Sequence, residues 1–271
     1  MKGLPNFLPS VLVILLAATC EAGAPQKGPT EPSPASARVP VVLELFTSEG
    51  CSSCPPADAL LAKLEQQQPV SGAEVVALEE HVDYWDHQGW VDPFSSAQWT
   101  QRQQAYASGF RDRGVYTPEL VIDGRTGFVG SHEGDAYRAV ASAATQPRTE
   151  IGVSLLKSEQ RDREHLQVLV GKLQGAQDGD IAEVWLAITE TALHSSVTGG
   201  ENAGRELRHA GVARWLHKIG ATDRNAAPSF TGESDVKLDS KWKRSNLRVI
   251  AFVQEKRSRH ILGAAVARLE P

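Results

Sequence analysis

The sequence predicts an α/β chain in two parts. A helix-covered mixed sheet of element order β-α-β-α-β-β-α spans residues 39–146, and a smaller, mainly β domain follows over 147–271. Three observations carry this. An apolar run, Val41 to Phe46, is closed by a polar turn and by Pro55-Pro56 ahead of helically spaced leucines. Asp123-Gly124 separates two short strand-like runs, as a hairpin turn does. Beyond Gln146-Pro147 the helical spacing gives way to short runs, several of them alternating.

Taken in order, Val41 to Phe46 reads as a buried parallel strand. Pro55 and Pro56 fall in the first turn of the next segment, where a missing N–H does no harm, and Ala57 to Gln67 continues as a helix. Glu74 to Leu78 is a second strand. Ser95 to Ser108 is a helix with Ser95 as its cap, Glu119 to Ile122 and Gly127 to Gly130 form the hairpin, and Gly134 to Thr145 closes the unit. In the second part Ile151 to Leu156, His165 to Val170, Ala182 to Thr189, Leu247 to Gln254 and Ile261 to Leu269 are strand-like. Arg205 to Gly220 fits a helix or a strand. Asn202, Arg205 and His209 are expected to line an interdomain cleft or to cap a surface.

Composition narrows the function. A hydrophobic content of 41%, a charged content of 23% and a net charge of −5 describe a globular chain with no basic patch, which argues against a nucleic-acid surface. Residues 1–24 read as an export signal: Lys2 gives the positive start and Val11 to Ala18 an apolar core of eight residues, short of the roughly 20 that span a bilayer. Ala22-Gly23-Ala24 offers a cleavage site. Cys20, after Ala17-Ala18-Thr19, offers a lipoprotein signal and a lipid anchor instead. Residues 25–38, with prolines at 25, 29, 32 and 34, form a disordered Pro/Ser-rich spacer. The mature chain is expected to be periplasmic or extracellular, with no transmembrane helix. Gly199-Gly200 shows no phosphate-loop pattern.

That leaves Cys51 and Cys54 as an isolated C-x-x-C pair in a compartment that permits disulfides. The pair sits where a strand gives way to a helix, and a helix N-terminus stabilises a thiolate. As a staple it is weak, because so small a loop removes about 2 kcal/mol of unfolded-state entropy against about 3 for fifteen residues. As a structural zinc site it lacks a second cysteine pair.

The order of elements, with C-x-x-C at the first helix, resembles the thioredoxin fold. In that fold a proline, usually cis and preceded by a small residue, opens the third strand and faces the disulfide; Thr117-Pro118 stands in the matching place before Glu119. A longer string runs from Glu44 through Cys51-Ser52-Ser53-Cys54 to Asp58, then His81-Val82-Asp83-Tyr84-Trp85-Asp86, then Tyr116-Thr117-Pro118. It is similar to an exported thioredoxin-like family catalogued as domain of unknown function 1223, over roughly Val39 to the end, including Glu201-Asn202, Arg205 and His209. The resemblance implies fold and export and assigns no reaction.

The expected chemistry is thiol–disulfide exchange or redox sensing on protein or peptide thiols. Cys51 attacks, Cys54 resolves, an unidentified redox partner recycles the pair, and no cofactor is needed. Pro118 and Thr117 would present the substrate backbone. Glu44 would relay a proton to Cys54 if buried, or else face solvent. His81 would assist the thiolate, and Tyr84, Trp85 and Trp90 would wall a peptide groove. Glu49, two residues before Cys51, opposes the thiolate charge. Two other readings stand beside this one: a metal site of Cys51, Cys54 and His81 with Asp83, and a non-catalytic peptide-binding module. The redox reading requires Cys51 to be reachable.

Overall fold

A computed structural model describes residues 1, 3, 38–110, 114–157, 160 and 162–269. Cys20, and all of the expected export signal and spacer except Met1, Gly3 and Arg38, lie outside the described residues. The first seven elements follow the sequence: β1 (Val39–Thr47), α1 (Pro55–Gln67), β2 (Ala73–His81), α2 (Ala97–Phe110), β3 (Glu119–Ile122), β4 (Thr126–Val129) and α3 (Glu133–Ala144). Ser96, rather than Ser95, caps α2: its Oγ accepts from Gln98 N, while the Ser95 hydroxyl donates to Asp86.

Nine further strands complete the described fold: β5 (Ile151–Leu156), β6 (Arg163–Val170), β7 (Ala182–Glu190), β8 (Leu193–Ser196), β9 (Glu206–His209), β10 (Val212–Ala221), β11 (Phe230–Lys237), β12 (Leu247–Glu255) and β13 (Ile261–Arg268). The ambiguous segment 205–220 is therefore two strands. Gly211, at φ +72°, breaks it, in a conformation that a helix interior does not use.

The boundary expected after residue 146 does not separate two sheets. Eight strands form one sheet of order β13-β12-β7-β10-β2-β1-β3-β4, in which β10 lies parallel to β2 with Val212 opposite Glu79. Ser36–Pro271 forms a single compact unit. The physical reason is that β2, buried from Val75 to His81, has backbone groups on both edges that need partners away from water, and β10 supplies the second.

Strand alternation sorts the core into layers. Val41, Leu43 and Leu45 of β1 pack with Leu60, Leu61 and Leu64 of α1 and with Val140 of α3. Each fully buried leucine contributes about 1.5–3 kcal/mol. The intervening Val42 and Phe46 face Trp99 and Tyr106 of α2. Under the far half of the sheet a three-stranded sheet, β11-β6-β5, packs Leu166 and Val168 on Leu186 and Val249. No helix among the described residues is long and apolar enough to cross a membrane.

Candidate functional site

β1 ends at Thr47, and the chain turns through Ser48–Gly50 into the cysteines. Cys54 is the N-cap of α1, and its carbonyl accepts from Ala57 N and Asp58 N. Cys51 and Cys54 form a disulfide, and Ser53 Oγ lies 3.3 Å from Cys51 Sγ. Both cysteines have 0% exposure, while Ser52 and Ser53 between them are exposed. The sulfur expected to be reachable is covered.

The cover is the tip of the β8–β9 hairpin, residues 197–205. Asn202 is fully buried there and its Nδ2 donates to two carbonyls of the cysteine turn, Glu49 O at 2.8 Å and Cys51 O at 2.9 Å. Ser52 N donates to Glu201 Oε2 at 3.0 Å. Gly199 and Gly200 let this tip lie against Gly89 and Trp90, where a Cβ on Gly199 would run into the Gly89 carbonyl. Asn202 thus belongs to the site, as does His209. Arg205 is exposed.

On the other side of the turn, Trp85 packs against Gly50, and its Nε1 donates to Thr117 Oγ1 at 2.8 Å. The Thr117-Pro118 bond is cis, and Pro118 is buried beside Gly130 near Ala57 of the first turn of α1. The structure therefore brings Cys51, Cys54, Trp85, Thr117 and Pro118 together. Tyr84 points instead to Gln103, its hydroxyl 3.2 Å from Oε1.

Beneath the turn lies a buried carboxylate–imidazole network. Glu79 and His81 share the α1-side face of β2, while Glu80 between them points to the α2 side, as period-two alternation requires. Glu79 Oε1 receives His209 Nδ1 at 2.7 Å, and His209 Nε2 bonds Glu49 Oε1 at 3.0 Å. Both ring nitrogens of His209 meet carboxylates, which suits the doubly protonated imidazolium. Burial disfavours that charge, but Glu79 and Glu49 outweigh it and raise the His209 pKa to about 9. Burial likewise penalises the Glu79 carboxylate, and His209 and His81 outweigh it and lower its pKa to about 2. His81 Nδ1 bonds Asp92 Oδ2 at 2.7 Å; despite burial, Asp92 and Glu79 hold its pKa well above the usual imidazole value. Glu49 also receives Trp90 Nε1 at 2.8 Å, so its charge is met by His209 and Trp90. Trp90 braces the turn rather than walling a groove.

Two expectations are corrected. Glu44 is buried on the α2 face, bonded to Arg102 and to the Tyr106 hydroxyl, away from α1; the even-numbered positions of β1 all turn that way. It is not placed to serve Cys54. Asp83 sits with Thr100 on α2, its Oδ1 accepting from the hydroxyl at 2.6 Å, and the two sulfurs are joined in a disulfide, so the set Cys51, Cys54, His81, Asp83 is not assembled.

The residues that sequence reading missed are Glu79, described above, and Asp58. Asp58 lies four positions after Cys54 on the same helix face, buried, with Thr47 Oγ1 donating to its Oδ1 at 2.6 Å. Burial and the charge of Glu79 push its carboxyl up to about 7, against opposing pulls from His209 and Thr47. The signal was available: Asp58 is a lone acid at i+4 from a cysteine on an otherwise apolar stretch of helix. A groove of about 890 Å³ between α1 and the β8–β9 hairpin opens onto Asp58 and His209, lined also by Lys63, His194 and Arg208.

A family model described as "Protein of unknown function (DUF1223)" matches residues 42–254. Among solved structures, a crystal structure of a protein from Agrobacterium tumefaciens is similar, with TM-score 0.63 and 24% identity over 86% of this chain and 98% of that one. HBP35 of Porphyromonas gingivalis is also similar, with TM-score 0.62 and 19% identity over 86% of this chain and 76% of that one. At these identities the likeness is one of fold. No curated protein matches the chain at a significant level.

Proposed function

Because the chain belongs to the family described as protein of unknown function DUF1223, which assigns no reaction, we propose its activity from the site: an exported thiol–disulfide exchange protein, thioredoxin-like in its first half, whose Cys51–Cys54 pair works behind a cap. The observation that carries the reading is the disulfide at the head of α1, with an acid of pKa about 7 one turn behind Cys54 and cis Thr117-Pro118 beside that turn.

When the hairpin tip lifts, a substrate thiolate attacks Cys51 Sγ, the S–S bond breaks, and Cys54 leaves as a thiolate that the protonated Asp58 neutralises. A second thiolate of the same substrate attacks the mixed disulfide and expels Cys51. The substrate dithiol becomes a disulfide and the protein pair a dithiol; the reverse sequence reduces a substrate disulfide. A partner of the same dithiol/disulfide class resets the pair. The α1 N-terminus and the Ser53 hydroxyl stabilise the Cys51 thiolate at the helix end.

The test is equilibration of the full-length protein with glutathione over a range of redox ratios, read by alkylation and mass, together with trapping on Cys54→Ser. A titrating pair and a Cys51 mixed disulfide support the reading. A disulfide that stays intact in the folded protein at every ratio, yet reduces once the protein is unfolded, makes the pair a structural link and defeats it.

A further inference from the structure

Glu79, His81 and His209 place one donor atom each within 4.8 Å of one another, fully inside the protein. His81 Nε2 is buried with no hydrogen-bond partner, 3.5 Å from Glu79 Oε1. The other two donors, His209 Nδ1 and Glu79 Oε1, are 2.7 Å apart. In a tetrahedral site with metal–ligand bonds near 2.1 Å, ligand atoms stand roughly 3.4 Å from each other; the two separations to Glu79 lie either side of that value, and the His81 and His209 nitrogens are within 4.8 Å. We propose that Glu79, His81 and His209 bind one divalent first-row transition ion beneath the cysteine turn.

The surroundings have the form that metal-binding imidazoles need. The far nitrogen of each ring is held by a carboxylate, His81 Nδ1 by Asp92 Oδ2 at 2.7 Å and His209 Nε2 by Glu49 Oε1 at 3.0 Å. Such partners fix the tautomer that turns Nε2 of His81 and Nδ1 of His209 toward the ion. Asp92 is itself fixed by Glu49 N and Phe94 N, and Glu79 Oε2 by Ala210 N. Charge agrees. Three carboxylates, Glu49, Glu79 and Asp92, face either two imidazolium protons or one divalent ion with neutral rings, and the net charge is the same in both states. Protons and metal therefore compete for one site. His209 also lines the groove beside α1, with Asp58 on the same wall, so one ligand of the site borders that groove. This set shares only His81 with the cysteine-based site considered from the sequence, and it does not depend on the redox reading.

The experiment strips the full-length protein with chelator and titrates it with Zn²⁺, then loads Co²⁺ for absorption spectroscopy and X-ray absorption of the wild type. The expected result is one ion per chain, coordinated by nitrogen and oxygen only. Affinity is expected to fall at least 100-fold in His209→Ala and about 10–100-fold in Asp92→Asn, and to stay unchanged in the Cys51→Ser/Cys54→Ser double variant. Absence of stoichiometric binding by folded wild type, sulfur in the coordination shell, or full affinity in folded His209→Ala overturns the proposal. The spectroscopy on wild type decides the matter even if a variant fails to fold.

Discussion

Replacing Asn202 by alanine tests whether the hairpin tip gates the disulfide. The side chain gives two hydrogen bonds to the cysteine turn, to Glu49 O and Cys51 O, each worth about 0.5–1.5 kcal/mol net. Against this, Asn202 Oδ1 is buried without a partner, and its removal relieves part of the loss. The closed cap is therefore expected to lose about 1 kcal/mol relative to the open one, which raises the open population about 5-fold. If attack occurs only on the open form, the rate of reduction by dithiothreitol at fixed pH rises by the same factor. The assay is the pseudo-first-order loss of disulfide, quenched by alkylation, with its urea dependence recorded for both proteins. Local opening gives a shallow dependence, whereas reduction through global unfolding gives the full equilibrium slope. An unchanged or slower rate in Asn202→Ala, or a slope equal to that of unfolding, refutes the gate.

Three other outcomes follow from named contacts. Asp58→Asn is expected to slow exchange about 100-fold below pH 7; because the wild-type acid gives up its proton near pH 7, the wild-type to variant rate ratio should shrink above that pH, and a pH-independent ratio would deny Asp58 the proton. In chelator-treated protein, His209→Gln breaks a buried pair and should cost about 3–5 kcal/mol in urea unfolding. The Glu79 contribution is present above its unfolded pKa of 4.5 and lost as pH falls toward 2, and that of His209 is present below 6.5 and lost as pH rises toward 9. The wild-type minus variant difference should therefore peak between about pH 4.5 and 6.5, and a flat difference would contradict the pairing. Gly211→Ala meets both a positive φ and the Ala77 carbonyl, 2.7 Å from the new Cβ; a loss of about 1–3 kcal/mol is expected in thermal unfolding, and a neutral result would show that β10 can shift without cost.

What the chain revealed of itself was its local chemistry. The C-x-x-C turn, the Pro55-Pro56 helix start, the Asp123-Gly124 hairpin and Thr117-Pro118 are signals carried within a few residues, and each stands where the pattern puts it. Strand β11 was not legible because Phe230–Lys237 offers only Phe230 and Val236 as apolar residues. The merger of the two expected domains was not legible either, since the parallel pairing of β10 with β2 joins residues more than a hundred positions apart. At the site, Glu44 misled because a buried acid in a strand looks the same whichever face it takes; parity with Val42 and Phe46 would have turned it toward α2. His81 and His209 were both noticed and their meeting was not, because His209 reaches β2 only through the tertiary fold; Glu79, two residues from His81 on the same strand face, was passed over although period-two alternation pairs them.

The placement of β10 has a consequence for handling the protein. A fragment ending near residue 146 would leave β2 as a bare sheet margin, strip the cysteine turn of Asn202 and strand Glu79 without its cation. Such a fragment is a candidate for intermolecular strand pairing, not a self-sufficient domain. In synthesis from the N-terminus the sulfurs appear well before the strand that completes their sheet, so the pair can meet an oxidant ahead of the folding that buries it.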